Sequence, residues 1–82
     1  MSRATSPQIL GQILKAARRG KKLNQEQAGQ LVGITQAMVS RIERGEANAR
    51  IDTLFRLLAA LEVDMELLPR QKASGQAEGD RW

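Results

Sequence analysis

Gln36, Ala37, Ser40 and Arg41 recur at intervals of one, three and one residues, a spacing that gathers side chains on one face of a helix. Their types suit one kind of chemistry. A glutamine amide carries the donor and acceptor that match the N6 and N7 edge of adenine. An arginine fork matches O6 and N7 of guanine, and an alanine methyl can meet that of thymine. Gln25 opens the preceding helical segment, where a side chain and a backbone N–H can both be offered to a phosphate. The competing account of these residues is a helix bundle whose polar face is simply solvated.

Other chemistries are poorly supplied. The 82 residues include no Cys and no His, which removes disulfides, thiolate nucleophiles, histidine acid–base pairs and the common zinc ligand sets. With no Tyr, one Phe and one Trp, there is no aromatic platform for stacking single-stranded nucleic acid. No enzymatic activity and no cofactor are expected. Apolar runs stay short, as in LLAAL at residues 57–61, far from the ~20 residues that span a bilayer. The N-terminal stretch lacks the apolar core of a signal peptide, so a cytoplasmic, nucleoid-associated protein is expected. Charge divides unevenly: nine basic and three acidic residues up to position 50, then four basic and six acidic. A basic first half suits a polyanion, with another partner for the second half.

These side chains need elements to hold them. Ser6 and Pro7 form a helix start, with Ser as N-cap and Pro where its missing N–H costs nothing. Ile9, Leu10, Ile13, Leu14 and Ala17 follow at helical spacing, and Gly20 is expected to stop this helix. Asn24 with Gln27 resembles a capping box for a short second helix to Val32, and Gly33 suits its left-handed end. Thr35 caps a third helix through about Arg44, anchored by Val39 and Ile42 and closed by Gly45. Gly29 lies inside the second helix, where glycine costs about 1 kcal/mol against alanine, so a close neighbour is expected there. Ile51, Leu54, Leu58 and Leu61 mark a fourth helix, with Asp52 in its first turn.

The period then changes. Val63, Met65 and Leu67 alternate with Asp64 and Glu66 before Pro69, the pattern of a strand rather than a helix. A lone strand is not stable in water, so it must pair with a second copy of the chain or with another protein, unless the alternation is accidental. Residues 70–82 are small, polar and charged, a composition that cannot bury enough apolar area to order itself. Such a tail suits a host protease. Trp82 at its end is either an aromatic anchor for a partner's pocket or a chance terminal residue.

Residues 23–45, LNQEQAGQLVGITQAMVSRIERG, resemble the helix-turn-helix of the phage-repressor, or XRE, family. The Gln after the cap, the turn Gly, the Thr-Gln pair and the Ile-Glu-Arg-Gly ending all fall in register. That resemblance implies an all-α, phage-repressor-like bundle of four to five helices that binds double-stranded operator DNA as a two-fold dimer. It implies that Gln36, Ala37, Ser40 and Arg41 face bases, while Gln25, Thr35, Asn48 and Arg50 meet the DNA backbone. It also implies an ion pair between Arg18 and Glu43, the two residues best placed to pin the first helix to the third. Ala28 stands where the family carries a large apolar residue and Gly29 where it carries Ala, which predicts lighter packing of the second helix and a marginal monomer.

The likeness extends beyond the motif. LEVDMEL at residues 61–67, followed by a polar tail ending in Trp82, is similar to antitoxins of the HipB type. It implies a DNA-binding domain over residues 6–62, a dimerisation strand over 63–69 and a flexible tail over 70–82. By that likeness Val63, Met65 and Leu67 pair across a homodimer, and the dimer represses its own operon. A HipA-type serine/threonine kinase toxin is its partner, with Trp82 docking on it. The rivals are a stand-alone repressor of the same family without a toxin and a protein-interaction module that binds no DNA.

Overall fold

The structure is a computed structural model that describes residues 3–46 and 48–69. Four helices follow in order: α1 Pro7–Gly20, α2 Gln25–Val32, α3 Gln36–Glu43 and α4 Ile51–Ala60. The expected tail and Trp82 lie outside the described residues.

Three of the helix starts are capped by the side chains expected of them. Ser6 accepts from the Ile9 N–H at 3.1 Å, with Pro7 at the first helical position. Asn24 and Gln27 complete a reciprocal capping box, with bonds of 2.7 and 2.8 Å. Thr35 Oγ1 accepts from the Met38 N–H at 3.1 Å. The α4 start has no side-chain cap across the N-cap position; Asp52 Oδ1 instead accepts from the Thr53 N–H at 2.8 Å. Gly33 takes the left-handed conformation that closes α2, with φ of 78°. The first helix stops at the expected glycine, but the left-handed residue lies beyond it. Gly20 is the last helical residue, and the left-handed turn sits at Lys22, φ 60°, because the chain reverses only after Lys21 has donated back to Ala17 and Arg18.

α3 packs on both α1 and α2, and α4 closes against α2. The core is Leu14, Val32, Ile42, Leu57, Leu58 and Leu61, with Ala28 and Val39 also buried. Along α1 the buried line is Gly11, Leu14 and Arg18, so only its centre is apolar. Gly11 is needed because α1 lies directly on the end of α3: a Cβ there would fall 2.6 Å from the Ile42 carbonyl oxygen and nearer still to that of Glu43. Gly29 is crowded in the same way, its notional Cβ lying 2.5 Å from the Ile34 carbonyl oxygen and 3.3 Å from Val39 Cγ2. The turn and α3 therefore close in on Gly29, and Ala28 is wholly buried. The close neighbour expected at Gly29 is the α2–α3 turn.

One expectation is adjusted. Ile51 begins α4 but is 71% exposed, while Leu57, outside the expected stripe, is 1% exposed and central to the core. Residues 63–69 form no ladder, and among the described residues there is no strand. Extended pairing needs a partner edge, and the rest of the described chain is helix, turn or loop.

Candidate nucleic-acid interface

The turn between α2 and α3 is short enough to fix the two helices as a unit. Ile34 N–H donates to the Gly29 carbonyl at 2.9 Å, and Thr35 then starts α3. Val39, Ile42 and Glu43 are the buried residues of α3. The helix period places Gln36, Ala37, Ser40 and Arg41 on the remaining surface, where Gln36, Ala37 and Arg41 are exposed and Ser40 is half-buried. Ser40 Oγ accepts from an Arg44 guanidinium N–H, and Arg44 Nε also pairs with Glu46 Oε1 at 3.2 Å. The four residues expected to face a ligand thus share one outward face.

Behind that face lies a buried ion pair. Arg18 Nε donates to Glu43 Oε2 at 2.6 Å and Arg18 NH2 to Glu43 Oε1 at 3.1 Å, with side chains 8% and 4% exposed. A third guanidinium N–H reaches the Leu23 carbonyl at 2.8 Å, so one side chain ties α1, the α1–α2 loop and α3 together. The bidentate geometry is the form in which burial of two charges is best compensated. Glu43 Oε1 also accepts from Gln25 Nε2 at 3.0 Å, and Gln25 Oε1 accepts from Gln36 Nε2 at 2.7 Å. Sequence reasoning found the ion pair and both glutamines separately; it missed the bonds that join them, since Gln25 and Glu43 meet only once α2 and α3 are packed.

Of the residues expected on the backbone of a bound duplex, Thr35, Asn48 and Arg50 are exposed and Gln25 is half-buried. Thr35 caps α3 through its hydroxyl oxygen, which leaves the hydroxyl hydrogen to donate elsewhere. Asn48 is exposed in the α3–α4 loop, and Arg50 pairs loosely with Asp52 at 3.3 Å with both side chains largely in water. Gln25 lines a shallow cleft of about 440 Å³ between α1 and the start of α2, with Lys15, Arg19, Asn24 and Gln36 around it. Lys15 was missed by sequence reasoning. Its four-residue offset from Arg19, which puts both cations on one helix face, is the signal that could have found it.

A separate surface is apolar. Ile51 and Phe55, one turn apart on α4, are 71% and 52% exposed, and Leu67 and Leu68 after it are 86% and 56% exposed. Phe55, Leu58, Ala59, Val63 and Met65 line a second shallow depression. Of the three residues expected to pair between two copies, Met65 and Leu67 are exposed, whereas Val63 is half-buried against its own core. The Val63 N–H donates to the Leu58 carbonyl at 2.8 Å.

Among the described residues, no helix is long and apolar enough to cross a membrane, and no group of three or more acidic side chains could hold a metal ion. Comparison with known proteins gives consistent results. A family profile described as Helix-turn-helix matches residues 14–68. Antitoxin HipB of Escherichia coli O6:H1 is 32% identical over 72 residues, covering 88% of this chain and 77% of that protein. A solved HipB–O4 20mer complex superposes with a TM-score of 0.75 at 28% identity, over 87% of this chain and all of the other. A chain of a solved structure described as a HipA–HipB–O2–O3 complex gives the same TM-score, identity and coverage.

Proposed function

Since this chain belongs to the helix-turn-helix family and to its HipB-like branch, we propose that it is a DNA-binding antitoxin that represses its own operon as a homodimer and neutralises a HipA-type kinase toxin. The observation that carries the DNA-binding reading is the two-sidedness of α3: Val39, Ile42 and Glu43 are buried, while Gln36, Ala37 and Arg41 stand in solvent. A helix of that kind can enter a major groove without disturbing the core that holds it. Gln36 then reads adenine and Arg41 guanine, with Ala37 and Ser40 small enough to let the helix approach. Gln25, Thr35, Asn48 and Arg50 hold the phosphate backbone on either side.

The exposed apolar side chains of α4 and residues 63–69 support the dimer. Ile51, Phe55, Met65, Leu67 and Leu68 lie exposed on α4 and the segment after it, a set that a monomer gains by covering. A second copy covers it through symmetric pairing of the 63–69 segments, with Met65 and Leu67 at the centre and Val63 joining each segment to its own core. Two recognition helices then sit about 34 Å apart, one turn of duplex, and the operator is a near-palindrome. The toxin partnership is supported by the likeness to HipB, one solved form of which is described together with HipA.

Co-purification with the product of the neighbouring gene, followed by footprinting on the shared promoter, tests the whole reading. The expected result is a kinase-like partner and two protected half-sites on one face of the duplex. Protection without a partner leaves a stand-alone repressor, and a partner without protection leaves a protein-interaction module.

A further inference from the structure

The hydrogen bonds behind α3 have a direction. Glu43 is a carboxylate paired to Arg18 through both oxygens, and a carboxylate only accepts. Gln25 must therefore turn its nitrogen toward Glu43, which it does at 3.0 Å. Its oxygen is left on the far side, and that oxygen only accepts in turn. Gln36 must answer with its own nitrogen, at 2.7 Å. Nothing else about an amide group selects between its two nearly equal ends; here a single buried charge selects both.

We propose that Glu43 is a positioning residue for base recognition, setting through Gln25 which end of the exposed Gln36 amide presents oxygen to the groove and which presents nitrogen. The inference rests on the reading of Gln36 as a base contact. Its consequence is chemical. Adenine offers a donor at N6 and an acceptor at N7, side by side and in a fixed order. With one N–H of Gln36 given to Gln25, the other N–H and the amide oxygen remain, in one order only. Turning the amide over brings nitrogen against the N6 amino group and oxygen against N7, and both contacts become repulsive. Glu43 touches no base, yet its charge selects the base.

A pool of duplexes of random sequence, selected with the full chain, supplies the preferred site. Gln36→Ala identifies the base pair in each half-site that Gln36 reads. Binding is then measured on four duplexes that differ only at that pair. Glu43→Gln keeps the shape of the side chain but can present either end to Gln25, and the preference at that pair should fall about tenfold, the scale of one bidentate base contact. Arg18→Lys leaves a cation beside the carboxylate while removing the fork. It should lower the melting temperature and keep the base preference. Should Glu43→Gln fold poorly, Arg18→Met combined with Glu43→Met removes both charges together, a change buried pairs tolerate far better than loss of one partner, and should lose the preference in the same way. A preference intact in Glu43→Gln or in the double variant overturns the proposal. So does a loss in Arg18→Lys that tracks its stability, as a purely structural pair requires. If Gln36→Ala changes no position, or the pool yields no enriched sequence, the base-reading assignment itself fails and takes the proposal with it.

Discussion

Gln36 and Arg50 are both exposed polar side chains, yet they should fail differently. Gln36→Ala is expected to cost roughly 1–3 kcal/mol of operator binding and to relax preference at one position in each half-site. Affinity measured across a set of single-base operator variants checks this; uniform weakening assigns Gln36 to a phosphate instead. Arg50 lies in water with only a loose partner in Asp52, so its charge is available to the polyanion. Arg50→Ala should weaken all duplexes alike and flatten the salt dependence, which for about six neutralised phosphates per dimer has a log–log slope near −5. A titration of affinity against salt for both proteins decides the matter. The types and spacing of Gln36, Ala37, Ser40 and Arg41 were enough to assign them one face, because helix periodicity is local. The bond from Gln25 to Glu43 was not legible, since it joins side chains on α2 and α3 whose distance depends on packing.

α2 and α3 act as a unit because the turn between them is pressed against Gly29. A methyl at Gly29 gains roughly 1 kcal/mol of helix propensity but meets the Ile34 carbonyl oxygen at 2.5 Å, and overpacking of this kind costs about 1–3 kcal/mol. Gly29→Ala should therefore lower stability, seen as a fall in the urea midpoint with an unchanged slope. A raised midpoint would show that the turn can retreat. Capping signals at Ser6, Asn24 and Thr35 located the helix starts correctly, since each cap bonds within three residues. Gly20 ends α1 as expected, but the left-handed turn falls at Lys22, where the path of the whole loop, pinned by Arg18 on the Leu23 carbonyl, overrides glycine's local preference. In α4 the apolar residues cover two sides, so spacing alone ranked Ile51 with the core and passed over Leu57.

For the molecule as a whole, the exposed apolar surface around Phe55 and Leu67 is the feature a monomer cannot use. Phe55→Asp is expected to leave helicity unchanged by circular dichroism while shifting the dimer to monomer in sedimentation. Operator affinity should fall on the order of 100-fold as two linked half-site contacts become independent. Retained dimerisation would move the interface elsewhere. Removal of residues 70–82 should leave footprinting intact and weaken capture of the proposed HipA-type partner. An equal loss of both would make the tail part of the DNA-binding fold.

What the sequence determined by itself was local: helix periodicity, three caps, the left-handed Gly33, the polar face of α3 and the alternation of 63–67. Each depends on residues a few positions apart, whose geometry the backbone dictates. Tertiary structure alone decided that α1 rests on the end of α3 through Gly11, that Leu57 is inside and Ile51 outside, and that Arg18, Glu43, Gln25 and Gln36 form one connected network. Those contacts link segments distant along the chain, and their distances are set by how side chains fill the space between helices.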